Sequence, residues 1–138
     1  MMQPLPSHPQ KGASADPVTL YLAALSETLQ RMPTAEIWRA TELLYQAWQE
    51  ERFVYLCGNG GSSATASHMA NDLNKLTISP GQKRMKAIAL SDNTPLLTAW
   101  ANDARYEDVF AEQLLNFVRS GDVLVAVIVM RIRARHRR

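Results

Sequence analysis

Residues 53–73 read FVYLCGNGGSSATASHMANDL and predict a strand, a tight glycine turn and a helix in immediate succession. The run Phe53–Cys57 has no polar residue to mark a solvent face, which is typical of a strand buried in a parallel sheet. A helix that starts directly after the glycines leaves backbone N–H groups free in its first turn, and these favour an anion together with the helix dipole. The hydroxyls of Ser62 and Ser63 are further donors suited to phosphate oxygens. The stretch predicts a site for a phosphate-bearing ligand, the alternative being an ordinary strand-to-helix turn with a serine cap.

Two widespread phosphate-binding motifs do not match this turn. The Walker loop requires a lysine after its second glycine, and no lysine lies between Arg52 and Lys75. The dinucleotide fingerprint requires a third glycine or alanine where this chain has Ser63, and an acid about 20 residues further on. Asp92, at the end of the next predicted strand, lies 34 residues after Gly58. We therefore expect no nucleotide cofactor.

The rest of the chain predicts strands that alternate with helices. Two amphipathic helices are predicted over residues 17–51, the first of them started by Asp16 and Pro17. Their apolar stripes must pack on the sheet or on another subunit. The later predicted elements are, in order, a helix at Ser62–Lys75, a strand at Lys86–Leu90, helices at Pro95–Ala101 and Tyr106–Arg119, and a strand at Val123–Met130. This alternation predicts an α/β fold with a parallel sheet between two helical layers, occupying residues 16–130.

The two ends of the chain differ in composition from its middle. Residues 1–15 hold three of the seven prolines and are predicted to form a disordered arm. Residues 131–138, RIRARHRR, hold five of the fifteen Lys and Arg residues and no acid. The first 130 residues therefore carry ten basic side chains against thirteen acids, so that the body is mildly acidic. A tail of this kind could contact a polyanion.

The composition also bears on compartment. No apolar run approaches the roughly 20 residues needed to span a bilayer, so no membrane association is expected. The first residues lack the apolar core of a signal peptide. The single cysteine, Cys57, cannot form an internal disulfide, and it is interpreted as a buried strand residue rather than a nucleophile. These features predict a cytoplasmic protein.

His68 and Asp72 are four residues apart on the helix that follows the turn, so they share a face. The pair could coordinate a divalent metal or place an acid–base group beside the ligand. Spacing alone favours a surface pair that contributes a few tenths of a kcal/mol. Both interpretations stay open on this evidence.

Three segments together resemble one known family. CGNGGSSATASHMANDL (57–73), KAIALSDNTPLLTAWANDARYEDVFAEQL (86–114) and GDVLVAV (121–127) occur in the order and spacing of the sugar isomerase (SIS) domain, and most resemble its phosphoheptose isomerase branch. The resemblance runs from about Asp16 to Val127. It implies a flavodoxin-like sheet of five parallel strands, preceded by helices that help to build a homotetramer. It also implies the interconversion of sedoheptulose 7-phosphate and an aldose heptose phosphate.

The resemblance also implies roles for particular residues. Asn59, Gly60, Gly61 and Ser62 would contact the sugar phosphate, with Ser63 beside them, and Asn102 and Asp103 would form a second substrate-binding pair. His68 falls at the position of a zinc ligand. Asp72 falls where the family has a glutamate that serves as base or ligand, and aspartate is shorter by one methylene. The implied proton shift through an enediol requires one well-placed base and an electrophile near the carbonyl oxygen.

The chain departs from the family after residue 126. The family continues with a serine-rich loop, S-x-S-G-N-S, two more strands and a helix that carries a glutamine and a histidine, whereas this chain reads VIVMRIRARHRR. The tail at 131–138 has no counterpart in the family, so nucleic-acid binding is not expected of it. We expect a truncated SIS domain that is inactive alone and exposes its third strand as an apolar edge. A non-catalytic SIS adapter protein and a fragment without folded function are the alternatives.

Overall fold

The computed structural model describes residues 16–129, so the predicted arm at 1–15 and the basic tail at 131–138 lie outside the described residues. The chain divides into two compact units after Ile37. The first unit contains α1 (Pro17–Gln30) and the first residues of α2 (Thr34–Gln49). The second unit contains the rest of α2 and every strand of the described chain.

Helix α1 is started by its cap and has no buried residue. The Asp16 carboxylate accepts hydrogen bonds from the N–H groups of Val18 and Thr19, at 2.9 and 3.2 Å. A hydrogen bond from the Thr19 hydroxyl, followed by the backbone bond from Thr19, holds the pKa of Asp16 below its usual value. Large apolar side chains of α1, among them Leu22 and Leu25, are exposed.

Between residues 16 and 129 no helix has the length and apolar character needed to cross a bilayer.

The second unit is an α/β fold with a three-stranded parallel sheet. Its elements after α2 are β1 (Phe53–Cys57), α3 (Gly61–Lys75), β2 (Lys86–Ala89), α4 (Thr94–Asp103), a 3₁₀ turn (Tyr106–Asp108), α5 (Ala111–Phe117) and β3 (Val123–Ala126). The strand order is β2-β1-β3, which matches the first three positions of the flavodoxin-like order. In register, Tyr55 of β1 lies opposite Ile88 of β2 and Leu124 of β3.

The side chains of β1 alternate between the two faces of the sheet, and helices pack against both faces. Val54 and Leu56, both fully buried, belong to one core cluster with the small residues Ala66 and Ala70 of α3. The second cluster, on the opposite face, comprises Tyr55, Cys57 and Leu90, with Phe110 and Leu114 packed against it. The prediction of an α/β fold with helical layers on both sides of a parallel sheet is confirmed.

Two predicted elements differ from the structure by more than two residues. The continuous helix predicted over Tyr106–Arg119 is instead a 3₁₀ turn followed by α5, which ends at Phe117. The Asp122 carboxylate accepts hydrogen bonds from the N–H groups of Arg119 (2.8 Å) and Phe53 (2.9 Å), and these bonds hold the chain in an extended turn after α5. Strand β3 ends at Ala126 rather than Met130, because β1 turns away after Cys57 and supplies no partner beyond the bond from Val127 N–H to Cys57 O.

The edge of β2 is capped by a side chain. Asn74 of α3 donates from Nδ2 to Ala87 O (2.7 Å) and accepts at Oδ1 from Ala87 N–H (3.0 Å). The amide thus makes the same two bonds that a neighbouring strand would make to this residue. It also fastens the end of α3 to β2.

We expect Asn74→Ala to lower the free energy of unfolding by about 1–2 kcal/mol, because two hydrogen bonds to the strand are lost. Urea unfolding followed by circular dichroism measures the change. Asn71→Ala is the matched control: Asn71 is exposed on the same helix, and its loss should change stability by less than about 0.5 kcal/mol. Equal stabilities of the two variants would show that the Asn74 cap is energetically neutral.

Candidate functional site

The glycine turn lies at the point where the strand order reverses. β1 is the central strand, the connection through α3 leads to β2 on one side, and the connection through α5 leads to β3 on the other. In open parallel sheets, ligands bind outside the carboxyl ends of the strands at such a switch point. The turn that follows Cys57 is therefore in the position where this architecture places a ligand.

The turn is held by a close approach of the backbone to itself. A Cβ atom on Gly58 would lie 2.7 Å from both the carbonyl carbon and the oxygen of Ser62, so only glycine fits there. Gly60 has φ +56°, a left-handed conformation that favours glycine. Ser62 N–H donates to Asn59 O and Ser63 N–H donates to Gly60 O, both at 3.0 Å. These bonds form the tight first turn of α3.

Several donors of this turn are free for a ligand. Within residues 16–129, the N–H groups of Gly60 and Gly61 have no hydrogen-bond partner, and neither do the hydroxyls of Ser62 and Ser63. They lie at the N-terminus of a helix of 15 residues, where the dipole favours negative charge. The turn can therefore bind an anionic or hydroxyl-rich group through neutral donors.

A cleft of about 410 Å³ opens beside the turn, within the range of small-molecule pockets. One wall comprises Gly58, Asn59 and Ser62. The opposite wall comprises Phe110 and the residues that end and follow β3: Ala126, Val127, Ile128 and Val129. The apolar second wall occupies the position where the family resemblance places a serine-rich loop.

Asn102 and Asp103 form the exposed C-terminal end of α4, and Asn102 Nδ2 donates to Asp103 Oδ1 at 2.7 Å. The residue that links this segment to the turn is Tyr106, whose hydroxyl donates to Asn59 Oδ1 at 2.9 Å. Sequence reasoning missed Tyr106 because it was interpreted as the first residue of a longer helix. Its place in the segment AWANDARY, directly after the Asn102–Asp103 pair, is the signal that could have found it.

His68 and Asp72 do share a face of α3, with 3.6 Å between His68 Nε2 and Asp72 Oδ1. Their side chains are 77% and 41% exposed. Asp72 is ten residues beyond Ser62, about 15 Å along the helix axis. A ligand that contacts both ends must therefore extend along α3.

The described donors do not complete a zinc site. Catalytic zinc takes three protein ligands, commonly His and carboxylate. Between residues 16 and 129, no three His, Cys, Asp or Glu side chains come together, and His68 with Asp72 supplies two at most.

The structure joins two further residues at this edge of the sheet. Ser67 of α3 donates a hydrogen bond to the carboxylate of Asp92, which follows β2. This bond ties the carboxyl end of β2 to α3 beside the turn. The rule that ligands bind at the carboxyl ends of parallel strands is the signal that could have singled out Asp92.

Cys57 is buried at the end of β1, and burial raises the pKa of its thiol. The thiolate is the reactive form, so this cysteine is held in its unreactive state at neutral pH. The interpretation of Cys57 as a buried strand residue is confirmed.

The SIS domain family pattern matches residues 20–128 of this chain, which is most of its length. The chain therefore belongs to the SIS domain family.

Its relatives include proteins named phosphoheptose isomerase. The chain is 38% identical over 109 residues to the phosphoheptose isomerase of Pelodictyon phaeoclathratiforme, a match that covers 78% of this chain and 52% of that protein. It is 44% identical over 88 residues to the lincomycin biosynthesis protein LmbN of Streptomyces lincolnensis, covering 64% of this chain and 32% of that protein. The chain thus spans about half the length of the phosphoheptose isomerases it matches, and a third of LmbN.

Solved structures show the same fold. The phosphoheptose isomerase GmhA of Neisseria gonorrhoeae superposes with a TM-score of 0.67 at 31% identity, covering 79% of this chain and 55% of that chain. A phosphoheptose isomerase from Francisella tularensis gives 0.61 at 19% identity, covering 83% and 86%, and supports the fold alone.

We expect Gly58→Ala to lower the free energy of unfolding by about 1–3 kcal/mol, because the new methyl group overlaps the Ser62 backbone. Gly61→Ala is the matched control. No atom lies within 4 Å of the position that its Cβ would take, so it should be neutral or stabilising by up to about 1 kcal/mol. Urea denaturation of both variants measures the difference, and a Gly58→Ala protein as stable as the wild type would contradict the tight-turn geometry.

Proposed function

We propose that this chain binds a phosphorylated sugar of the sedoheptulose 7-phosphate class at the turn Gly58–Ser63, as part of an SIS protein of the phosphoheptose isomerase type. The observation that carries the proposal is the set of unpartnered donors at the switch point of the sheet. The names of the relatives and of the solved structures support the choice of ligand.

The chemistry follows from the arrangement of donors. The N–H groups of Gly60 and Gly61 and the hydroxyl of Ser62 bind ligand oxygens without introducing a competing charge. Asn102 and Asp103, joined to this region through Tyr106, belong to the same proposed substrate surface. Isomerisation would require a base to move a proton between two adjacent carbons, and Asp72 is the proposed base. A heptose phosphate that runs along α3 would bring its far end toward Asp72.

A second candidate function is ligand binding without catalysis. The wall formed by Val127, Ile128 and Val129 is apolar, and the His68–Asp72 pair is an incomplete metal set among residues 16–129. Both features favour an adapter or regulatory SIS protein that senses a sugar phosphate. Turnover distinguishes this candidate from the isomerase.

We expect the purified chain to bind sedoheptulose 7-phosphate in isothermal titration calorimetry, and Ser62→Ala to weaken binding at least about ten-fold, since a hydrogen bond to a charged group is lost. Ser120→Ala is the matched control, because Ser120 is an exposed serine at the opposite end of β3. A cooperatively folded wild-type chain that gives no binding heat would overturn the proposal.

The same preparation, assayed for conversion of sedoheptulose 7-phosphate with and without added Zn²⁺, decides between the two candidates. Turnover that Asp72→Asn abolishes supports the isomerase and excludes the adapter. Binding without turnover under both conditions supports the second candidate.

The exposed stripe of α1 supports self-association, which we include in the proposal. Val18, Leu22, Leu25 and Leu29 recur at spacings of four, three and four residues, and all are exposed. A helix with such a stripe is stabilised by packing against a partner.

We place the protein in the cytoplasm, where its single cysteine stays reduced. Fractionation of cells that express the tagged chain checks this.

We expect the wild-type chain to elute as an oligomer in size-exclusion chromatography with light scattering, and Leu25→Glu to shift the mass toward the monomer. Ala24→Glu, at an exposed position on the other side of the helix from the stripe, should leave the mass unchanged. A monomeric wild type would contradict self-association.

A further inference from the structure

Asn59 and Tyr106 are 47 residues apart in sequence and are joined by a hydrogen bond. The Tyr106 hydroxyl donates to Asn59 Oδ1 at 2.9 Å. Asn59 lines the cleft, and within residues 16–129 its Nδ2 group has no partner. The bond therefore uses the acceptor of the amide and leaves both of its donors available.

The position of Tyr106 is fixed by its own short turn. The guanidinium of Arg105 donates from Nε and from its terminal nitrogen to the two carboxylate oxygens of Asp108, at 2.9 and 3.0 Å. Paired bonds of this kind fix geometry as well as adding energy. The next residue, Val109, is 1% exposed and anchors the turn in the core. Tyr106 itself is 55% exposed, so its ring is held by this turn and by the bond to Asn59 rather than by burial.

The bond from Tyr106 determines which end of the Asn59 amide faces the ligand. A free asparagine can present either its carbonyl oxygen or its NH₂ group, since it carries both an acceptor and two donors. With the oxygen held by the phenol, Asn59 adds two donors to the N–H groups of Gly60 and Gly61. The backbone and the Asn59 amide then present only donors to the ligand, which suits phosphate, carbonyl and hydroxyl oxygens.

We propose that Tyr106 is a positioning residue that orients the Asn59 amide so that Nδ2 donates to the bound sugar phosphate. This inference rests on the proposed function of the same site. The benefit is pre-organisation, because the amide does not have to be reoriented when the ligand arrives.

The test is calorimetric titration of the full chain with sedoheptulose 7-phosphate. Tyr106→Phe keeps the ring and removes only the hydroxyl, and we expect binding roughly five-fold weaker, because the Asn59 amide must then be oriented when the ligand arrives. Tyr45→Phe is the matched control, since it removes the hydroxyl of another half-exposed tyrosine that lies on α2. Its affinity should equal that of the wild type.

A double-mutant cycle separates positioning from a general structural effect. In the Asn59→Ala background, Tyr106→Phe should cause no further loss, because the group it orients is absent. An undiminished loss of about five-fold in that background would show that Tyr106 acts independently of Asn59 and would overturn the inference.

A ligand-free readout keeps the two proposals apart. In ¹H–¹⁵N spectra, the side-chain amide signals of Asn59 should shift on Tyr106→Phe, whereas the remaining asparagine signals should stay in place. Absence of wild-type binding overturns the proposed function and this inference with it. Normal binding by the wild type and by Tyr106→Phe, or an unmoved Asn59 amide, overturns the inference alone.

Discussion

The contact between Gly58 and the backbone of Ser62 is the constraint on which the rest of the site depends. The chain leaves β1 and enters α3 within four residues, and this is possible because Gly58, the residue that follows the strand, has no Cβ atom. The early start of α3 leaves the donors of Gly60 and Gly61 at the edge of the sheet. A wider turn would carry the helix away from β1 and disperse those donors.

The sheet makes that turn useful, because β1 lies at its centre. Its neighbours are reached over opposite faces, so a crevice forms where the two connections diverge. Two polar side chains hold the frame. Asp122 joins the turn before β3 to the first residue of β1, and Asn74 caps the outer edge of β2. Each side chain makes bonds that the three strands alone cannot make: Asp122 at the start of β1, and Asn74 along the free edge of β2.

The candidate site has two ends of different chemistry. At the start of α3 there are neutral donors and an amide oriented by Tyr106, which suit the oxygens of a sugar phosphate. Further along the same helix His68 and Asp72 form an exposed pair that suits proton transfer or metal binding but lacks a third ligand among residues 16–129. Membership of the SIS family and similarity to phosphoheptose isomerases are consistent with sugar-phosphate binding at the start of α3. Whether the chain catalyses a reaction or only binds its ligand depends on the His68–Asp72 pair.

The sequence by itself determined the features that depend on neighbouring residues. The apolar run of β1 predicted the strand, the glycines predicted the tight turn, and the four-residue spacing of His68 and Asp72 predicted their shared face. All three depend on backbone periodicity and glycine sterics, which are local. The tertiary structure alone decided the pairing of Tyr106 with Asn59, the end of α5 at Phe117 and the early end of β3. Each of these depends on a hydrogen-bond partner distant in the chain: Asn59 for Tyr106, Phe53 for Asp122, and Cys57 for Val127. Such partners are brought together only by folding, and no local pattern in the sequence encodes them.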